Sequence, residues 1–537
     1  MRVPSFIFTL SVLFINVSGG NSFVLQTEPE SVRAFLFSLT ENVKEQMSNI
    51  DPGQYDYKRY VAVWASKAGK SPQQAANEIK QWVAQYDRKK SDLYNLGLAK
   101  FYLKDFSGAI DYLNQSINVT VAKLQKLPQK ESGLSENQKA LFKEGVQTLR
   151  VLGNIFYLNY DFVNALKSYQ QAIKFTSKTE TPEVWAKIVL DMAQTYSEVG
   201  RRSDPKDTGK IFENSIQAFK QALTVFTVGK NPQDWARAQN GLGTTLALNG
   251  LRLKKDAGLT YLQQGADAIT KCLQVLKKDD MPFIWAKAKN NLGSALAEIG
   301  VRKGGEEGSQ SLLDAIKAYK AALEVRTMAD TPNEWAQTQN NLAAAYAFFK
   351  DWKNVLDCYI KVLKVNPEDK FAYQTAEDLS QKVLFDFPLA LKLNEGWMKS
   401  HPDDLLEKVK LVEKYFTNGE FVKSQKLIAE FRKSKDYSQL VYVIMDLMDV
   451  VNDIALNQTG AVPEKLGQLL DRIKIQPESF RVSMNFSGLK YFVSTNTSLK
   501  PYEDWLLRYF SAFENQKRDE IYVELKDVKE TFHFAGK

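Results

Sequence analysis

The stretch "TPNEWAQTQNNL" at residues 331–342 is the last of four related segments in the chain. The earlier versions stand fifty residues apart: "TPEVWAKIVLDM" (181–192), "NPQDWARAQNGL" (231–242) and "MPFIWAKAKNNL" (281–292). A proline, a tryptophan three residues later and the alanine that follows keep the same phase in all four. Self-similarity at a fixed period indicates a repeat architecture, in which each unit buries its apolar face against its neighbours.

Each unit is predicted to begin with one helix. Thr181, Asn231 and Thr331 are good N-cap residues, and the proline after each suits the first helical position. Glu334 lies where it would complete a capping box with Thr331, whereas Met281 makes the start of the third unit weaker. The helix is predicted to run to a glycine that caps its carboxyl end. These glycines are Gly200, Gly250 and Gly300.

A second helix is predicted after a polar loop, at 201–210, 251–258 and 301–308. It contains the in-register segments "SIQAFKQAL" (215–223), "GADAITKCL" (265–273) and "AIKAYKAAL" (315–323). In each segment a large residue and a small residue three positions later share one helix face. We expect these pairs to be buried: Phe219 with Ala222, Ile269 with Cys272, and Tyr319 with Ala322.

This second-helix pattern resembles that of tetratricopeptide repeats. Shorter segments carry the same pattern at 93–117, 149–173 and 340–367, and weaker helix pairs follow at 370–403 and 404–435. The fifty-residue segments resemble the long repeats of bacterial tetratricopeptide proteins and of kinesin light chains. The resemblance implies an all-α fold, a right-handed superhelical solenoid of antiparallel helix pairs with helical N- and C-terminal caps. It also implies that the first helices line a concave groove.

The chain is accordingly divided into six parts. They are a signal peptide, a helical N-terminal cap, two short repeats, the long repeats, degenerate helix pairs and a mostly helical C-terminal region: 1–20, 21–89, 90–180, 181–367, 368–435 and 436–537. Within the terminal parts, helices are expected at 71–86, 440–456 and 501–516 from their apolar spacing. Residues 479–488 alternate like a single strand, and a small α+β domain in this region is the alternative to a helical cap.

The first twenty residues have the features of a secretory signal peptide. Arg2 precedes an apolar run at 6–17, and Ser18, Gly19 and Gly20 are small residues suited to cleavage. The run is shorter than the ~20 residues that cross a bilayer. We therefore expect an exported chain, periplasmic or secreted, cleaved near Gly20 and without a membrane span after cleavage. The alternative is an uncleaved N-terminal anchor.

The composition argues against several functional classes. The net charge is +8 over 537 residues without a concentrated basic run, which does not favour nucleic acid. With two cysteines and two histidines, the chain offers little material for a disulfide framework, a metal site or histidine catalysis. Nucleotide-binding, nucleophile-elbow and zinc-protease motifs are missing from the sequence. We expect no cofactor, no metal and no catalytic site.

Candidate binding residues lie on the predicted first helices. The resemblance implies that asparagines there bond the backbone of a bound peptide and that basic residues pair with its acidic groups. The candidates are Asn240, Asn290, Asn291, Asn340, Asn341, Lys187, Arg237, Lys287 and Gln337. The alternative is that the asparagines brace neighbouring helices. The repeated tryptophans are predicted to pack one unit on the next rather than to stack on a ligand.

Three functional hypotheses follow. The first is a non-catalytic scaffold that binds an extended, acidic peptide or protein partner in the concave groove. The second is an enzyme or enzyme subunit with its site in the C-terminal region. The third is a structural spacer of the envelope or cell surface, which needs no groove ligand.

Overall fold

The computed structural model describes most of the chain after the N-terminal segment, and the predicted signal peptide lies outside the described residues. The described residues are 65, 69–87, 93–124, 126, 136–434, 436–482, 484–514 and 516–532. Within them the structure is all-α, with 22 α-helices, two short 3₁₀ helices and a single isolated bridge. The all-α prediction is therefore confirmed.

The chain forms two compact units, Met1–Thr327 and Met328–Lys537. The helices of the first unit are α1 Pro72–Asp87, α2 Leu93–Tyr102, α3 Phe106–Leu124, α4 Glu136–Leu158, α5 Phe162–Ile173, α6 Pro182–Arg202, α7 Pro205–Ala222, α8 Pro232–Arg252, α9 Lys255–Val275, α10 Pro282–Lys303 and α11 Gly305–Leu323. Helix α1 confirms the helix expected at 71–86.

The helices of the second unit are α12 Pro332–Phe348, α13 Trp352–Val365, α14 Lys370–Lys382, α15 Phe387–Ser400, α16 Leu405–Thr417, α17 Phe421–Lys433, α18 Gln439–Ala455, α19 Val462–Lys474, α20 Ser487–Thr495, α21 Glu503–Ser511 and α22 Arg518–Thr531. The 3₁₀ helices are Thr459–Ala461 and Lys500–Tyr502. The two degenerate helix pairs and the helix expected at 440–456 are confirmed.

The long units are built from longer helices than the sequence indicated, and their loops are short. The first helices α6, α8 and α10 contain 21, 21 and 22 residues. Only Ser203–Asp204, Leu253–Lys254 or Gly304 separates each from its second helix. The predicted polar loops were therefore wrong, because their lysine, aspartate and glutamate residues are compatible with helix and Pro205 suits a first helical position.

The glycines at the end of the first helices do not cap them. Gly250 and Gly300 lie inside α8 and α10, which continue for two and three residues beyond them. A methyl group on Gly250 would lie 2.8 Å from the carbonyl oxygen of Gly258, and one on Gly300 would lie 2.7 Å from that of Gly308. Glycine is needed here because the two helices of a pair cross at this point with their backbones almost in contact.

The predicted capping interactions are also corrected. Proline does occupy the start of α6, α8 and α12, but Thr181, Asn231 and Thr331 make no side-chain cap hydrogen bond, so the capping box with Glu334 is not formed. Their ψ angles of 52°, 58° and 61° are far from the extended value at which a side chain reaches the first free N–H groups. The Thr181 hydroxyl instead accepts a hydrogen bond from the Ser177 N–H at 2.9 Å.

The shorter repeats share a turn that sequence patterns did not reveal. Between the two helices stands one residue with φ between 55° and 75°, followed by an acidic residue and then an aromatic one. The five turns are Lys104–Phe106, Tyr160–Phe162, Lys350–Trp352, Phe385–Phe387 and Gly419–Phe421. In the first four, the aspartate accepts a hydrogen bond from the backbone N–H three residues later and so caps the second helix.

The second helices supply the core of the long units. Phe219, Ile269, Tyr319 and their small partners are buried, as predicted. Trp235 is half-buried and packs against the hydrophobic clusters on both sides of it, one shared with Trp185 and the other with Trp285. The prediction that these tryptophans join successive units is confirmed in the first compact unit.

The C-terminal part of the second unit is helical and shares one hydrophobic cluster with the degenerate repeats. The described residues of 479–488, which leave out 483, do not form the expected strand: Arg481 makes one antiparallel bridge with Lys517, and helix α20 begins at Ser487. The helix expected at 501–516 is shorter than predicted and ends at Ser511. The alternation at 479–488 arises because Val482 and Phe486 turn into this core.

Candidate binding surface on the first helices

The first helices of the long units have a sheltered face. Residues 185–201, 234–251 and 282–300 include no exposed side chain, only buried and half-buried ones. The second helices instead carry exposed rows at helical spacing. On α9 the row is Asp256, Thr260, Gln263, Asp267 and Thr270. We call the half-buried side chains of α6, α8 and α10 the first-helix surface.

The basic candidates lie on this surface near the amino ends of the helices. Lys187, Arg237 and Lys287 are half-buried on α6, α8 and α10. Asp234 lies 3.9 Å from the Lys187 ammonium and 3.5 Å from the Arg237 guanidinium, so one carboxylate faces two cations. The Arg237 Nε is buried without a hydrogen-bond partner among the described residues.

The asparagine candidates occupy different environments. Asn240 and Asn290 are only 4% and 3% exposed, which places them beneath the surface rather than on it. The side-chain oxygen of Asn240 is buried without a hydrogen-bond partner among the described residues. Asn291 is half-buried and donates to the Thr244 hydroxyl at 3.0 Å, so it braces α10 against α8.

The remaining candidates belong to the second compact unit. Gln337, Asn340 and Asn341 are half-buried on α12. The side-chain oxygens of Asn340 and of the buried Gln339 have no hydrogen-bond partner among the described residues. A buried polar atom left unpaired costs about 1–3 kcal/mol, so such atoms are uncommon in folded proteins. The unpaired side-chain oxygens on α12, like that of Asn240 on α8, lie on the first helix of a unit.

The first long unit differs from the next two at the asparagine positions, which Leu190 and Asp191 occupy. Asp191 occupies the position of Asn291 but is buried and ion-paired with Arg150 of the preceding repeat. The Tyr169 hydroxyl beside it donates to Asn154 at 2.6 Å, and burial raises the pKa of Tyr169 well above its usual value. In the first long unit, the side chain at this position therefore makes its contacts within the fold.

A row of three arginines, which recur every fifty residues near the carboxyl ends of the first helices, was not identified from the sequence. Arg302 donates to the backbone oxygens of Leu253 and Leu251 at 2.9 and 3.2 Å and pairs with Glu298 at 2.6 Å. It thus binds the carboxyl end of the preceding first helix, where carbonyl groups lack partners. Arg252 and Arg202 stand fifty and one hundred residues earlier. Their spacing could have revealed the row, since it matches that of the tryptophans.

The described residues include few side chains that could bind a metal ion or take part in catalysis. They contain no group of three or more histidine, cysteine, aspartate or glutamate side chains that could hold a metal ion. Burial raises the pKa of the Cys272 thiol to about 12. His401 stacks on Trp397 at 4.0 Å and pairs with Glu368 at 2.8 Å, and His533 lies outside the described residues. In the described part of the chain, no helix has the length and apolarity of a membrane span.

The fold defines the class: an all-α repeat protein of antiparallel helix pairs, similar to tetratricopeptide repeats. No protein-family model and no curated protein matches the sequence.

A comparison with solved structures finds several to which the chain is similar. A Rap protein complexed with competence and sporulation factor is 13% identical, with 83% of this chain and 98% of that chain covered and a TM-score of 0.36. BtubC (BKLC) from P. vanneervenii is 15% identical, with 48% and 91% covered and a TM-score of 0.33. The C-terminal part of a TPR repeat-containing protein from Cytophaga hutchinsonii is 13% identical, with 60% and 99% covered and a TM-score of 0.32.

Proposed function

We propose that the chain is a non-catalytic interaction scaffold that binds an extended polypeptide segment on the first-helix surface. The observation that carries this proposal is the sheltered, polar character of α6, α8 and α10. Three long helices without an exposed side chain over 185–201, 234–251 and 282–300 form a surface that is partly shielded from water and keeps many polar groups. Such a surface suits a backbone that needs donors and acceptors along its length.

The charges on this surface favour an acidic segment. Lys187, Arg237, Lys287 and Lys289 are half-buried on the amino-terminal half of these helices, where Asp234 is the half-buried carboxylate. Partly desolvated cations attract an opposite charge more strongly than exposed ones, because solvent screens them less.

A charge-reversal experiment tests this assignment. Lys287→Glu with Lys289→Glu changes the surface on α10, and the matched control Lys220→Glu with Lys271→Glu changes exposed lysines on the second helices. Both double variants change the net charge equally. Fluorescence anisotropy with a panel of unstructured peptides of graded charge should show acidic peptides binding the wild type and the control. The α10 variant should bind them at least about tenfold more weakly.

Two results would contradict the proposal. Equal weakening in both double variants would mean that only the overall charge attracts the peptides. Failure of all peptides to bind the wild type would favour the spacer hypothesis, in which the array has no ligand. Thermal unfolding of each variant, followed by circular dichroism, separates lost binding from lost folding.

We also propose that the chain is exported after cleavage near Gly20. The support is the apolar run at 6–17 followed by small residues. Mass spectrometry of the protein from its native source should give a mature chain that begins near Asn21. A chain that begins at Met1 and remains with the membrane fraction would support the uncleaved anchor instead.

A further inference from the structure

The carboxylate of Asp234 lies between the cations of two neighbouring first helices. It stands in the first turn of α8, with its Oδ2 3.9 Å from the Lys187 Nζ on α6 and its Oδ1 3.5 Å from an Arg237 guanidinium nitrogen on α8. Its side chain is 17% exposed, and those of Lys187 and Arg237 are 29% and 14% exposed. All three groups are partly withdrawn from water, so solvent screens their charges less than at an exposed site.

These contacts reduce the positive charge of two helices without holding the carboxylate tightly. Charge-assisted hydrogen bonds between nitrogen and oxygen usually measure about 2.7–2.9 Å, and both distances to Asp234 are longer. At the other end of the first-helix surface, the distance between Arg302 and Glu298 is 2.6 Å. Because the contacts of Asp234 are long, the cations beside it can turn toward another carboxylate at little cost.

The third first helix has cations without such a carboxylate. Lys287 and Lys289 are half-buried on the amino-terminal half of α10, and the only acidic residue in the sequence of α10 is Glu298, near its carboxyl end. The fifty-residue spacing places Ile284 where α8 has Asp234. Among the half-buried side chains of the amino-terminal halves, two cations and one carboxylate give α6 and α8 together a net charge of +1. Two cations give α10 alone a net charge of +2.

We propose that Asp234 determines where an acidic segment binds on the first-helix surface. This inference rests on the proposed function and adds the position of the ligand's charge. Asp234 occupies the place of a ligand carboxylate between Lys187 and Arg237. The acidic side chains of the segment therefore bind at Lys287 and Lys289 on α10, and a neutral part of the segment extends across α8 and α6.

The spacing of the helices defines the peptides that test this proposal. Packed helices lie about 8–10 Å apart, and Asn291 of α10 is hydrogen-bonded directly to Thr244 of α8. An extended chain advances about 3.3 Å per residue, so acidic residues three positions apart reach neighbouring first helices. A one-site peptide carries one pair of glutamates in an unstructured, otherwise neutral sequence. A two-site peptide carries a second pair that begins three positions after the first.

Fluorescence anisotropy with the full chain and both peptides measures the effect of Asp234. The two-site peptide should bind the Asp234→Asn variant about threefold or more tightly than the wild type, and the one-site peptide should change less. The control Asp267→Asn removes an exposed carboxylate of the second helix α9 and changes the net charge equally, so it should leave both affinities unchanged. Lys187→Gln should weaken two-site binding more in the Asp234→Asn background than in the wild type, because Asp234 no longer competes for that cation.

Two results would overturn the proposal and leave the proposed function standing. The first is equal tightening in both aspartate variants, since only the overall charge would then matter. The second is unchanged or weaker two-site binding in Asp234→Asn, while Lys287→Glu with Lys289→Glu still lowers the affinity of the wild type. Failure of both peptides to bind either the wild type or Asp234→Asn would overturn both proposals.

The folding of the variant is checked separately, because an acidic residue in the first turn also stabilises a helix. Circular dichroism and thermal unfolding compare Asp234→Asn with the wild type. Asp234→Gln is a second neutral variant, and the same tightening of two-site binding is expected for it.

Discussion

Replacing Gly300 with alanine should destabilise the third long unit, although alanine is the better helix former. Gly300 lies within α10, three residues before its end. The added methyl carbon would lie 2.7 Å from the Gly308 carbonyl oxygen and 2.7 Å from the Leu312 Cγ. Because real contacts of this kind stay beyond 3.0 Å, α10 and α11 would have to separate.

The magnitude follows from two opposing terms. Exchanging glycine for alanine inside a helix gains about 1 kcal/mol. Overpacking costs about 1–3 kcal/mol. The upper end applies here, since one of the two atoms belongs to the backbone of α11 and cannot rotate away. We therefore expect a net loss of about 2 kcal/mol.

Gly396 provides a control with the opposite sign. It lies inside α15 and is exposed, and a methyl group there would meet nothing within 4 Å. Gly396→Ala should stabilise its unit by up to about 1 kcal/mol. Urea unfolding followed by far-ultraviolet circular dichroism gives the free energies, and hydrogen exchange of α10 and α11 localises the effect of Gly300→Ala. A Gly300→Ala variant as stable as the wild type, or more stable, would refute the close approach of the two helices.

Three further outcomes are expected. Glu377→Gln leaves the buried Lys414 ammonium, 2.5 Å from that carboxylate, without its charge partner. It should lose about 3 kcal/mol in urea unfolding, against at most ~1 kcal/mol for Asp357→Asn in an exposed pair. Burial opposes ionisation, but Lys414 and Lys410 outweigh it and hold the pKa of Glu377 below its ordinary value. The contribution of ionised Glu377 to the free energy of unfolding is therefore present above pH ~4.3 and is lost as the pH falls through the lower folded-state pKa. The Glu377→Gln variant should not show this pH-dependent loss. Gly419→Ala should cost about 1 kcal/mol in thermal unfolding because φ is 75°, and an unchanged midpoint would contradict this.

The helix pairs could be predicted from the sequence because their signals are local and repeated. Phe219, Ile269 and Tyr319 recur at one phase, and a residue at the same position in every unit makes the same contact. Proline at the start of α6, α8, α10 and α12 restricts its own φ to the helical value, so that helix start does not depend on the rest of the fold. For these features the sequence pattern and the structure agree.

The burial of individual polar side chains could not be predicted in this way. Asn290 and Asn291 are adjacent in the sequence, yet one is buried and the other bonds Thr244, a residue 47 positions away. Which of them faces the solvent depends on the rotation of α10 against α8. The fifty-residue period of the repeated segments gives their spacing along the chain, but it does not give the rotation of one helix against the next. The glycines were misassigned for a related reason, since a close approach involves the backbone of a second helix.

The length of the first helices has a consequence for the proposed ligand. At 1.5 Å per residue, the 21 residues of α8 extend about 32 Å, against about 20 Å for the 13 residues of α14. The cations Lys187, Arg237 and Lys287 lie in the amino-terminal third of α6, α8 and α10. At the opposite end, Arg302 is paired with Glu298 and with backbone oxygens of the preceding unit. At the amino-terminal end, Lys187, Arg237, Lys287 and Lys289 outnumber the half-buried Asp234, so the excess positive charge of this surface lies there. An acidic segment bound there would lie across the amino-terminal ends of successive units, which is why charge reversal at Lys287 and Lys289 tests the ligand directly.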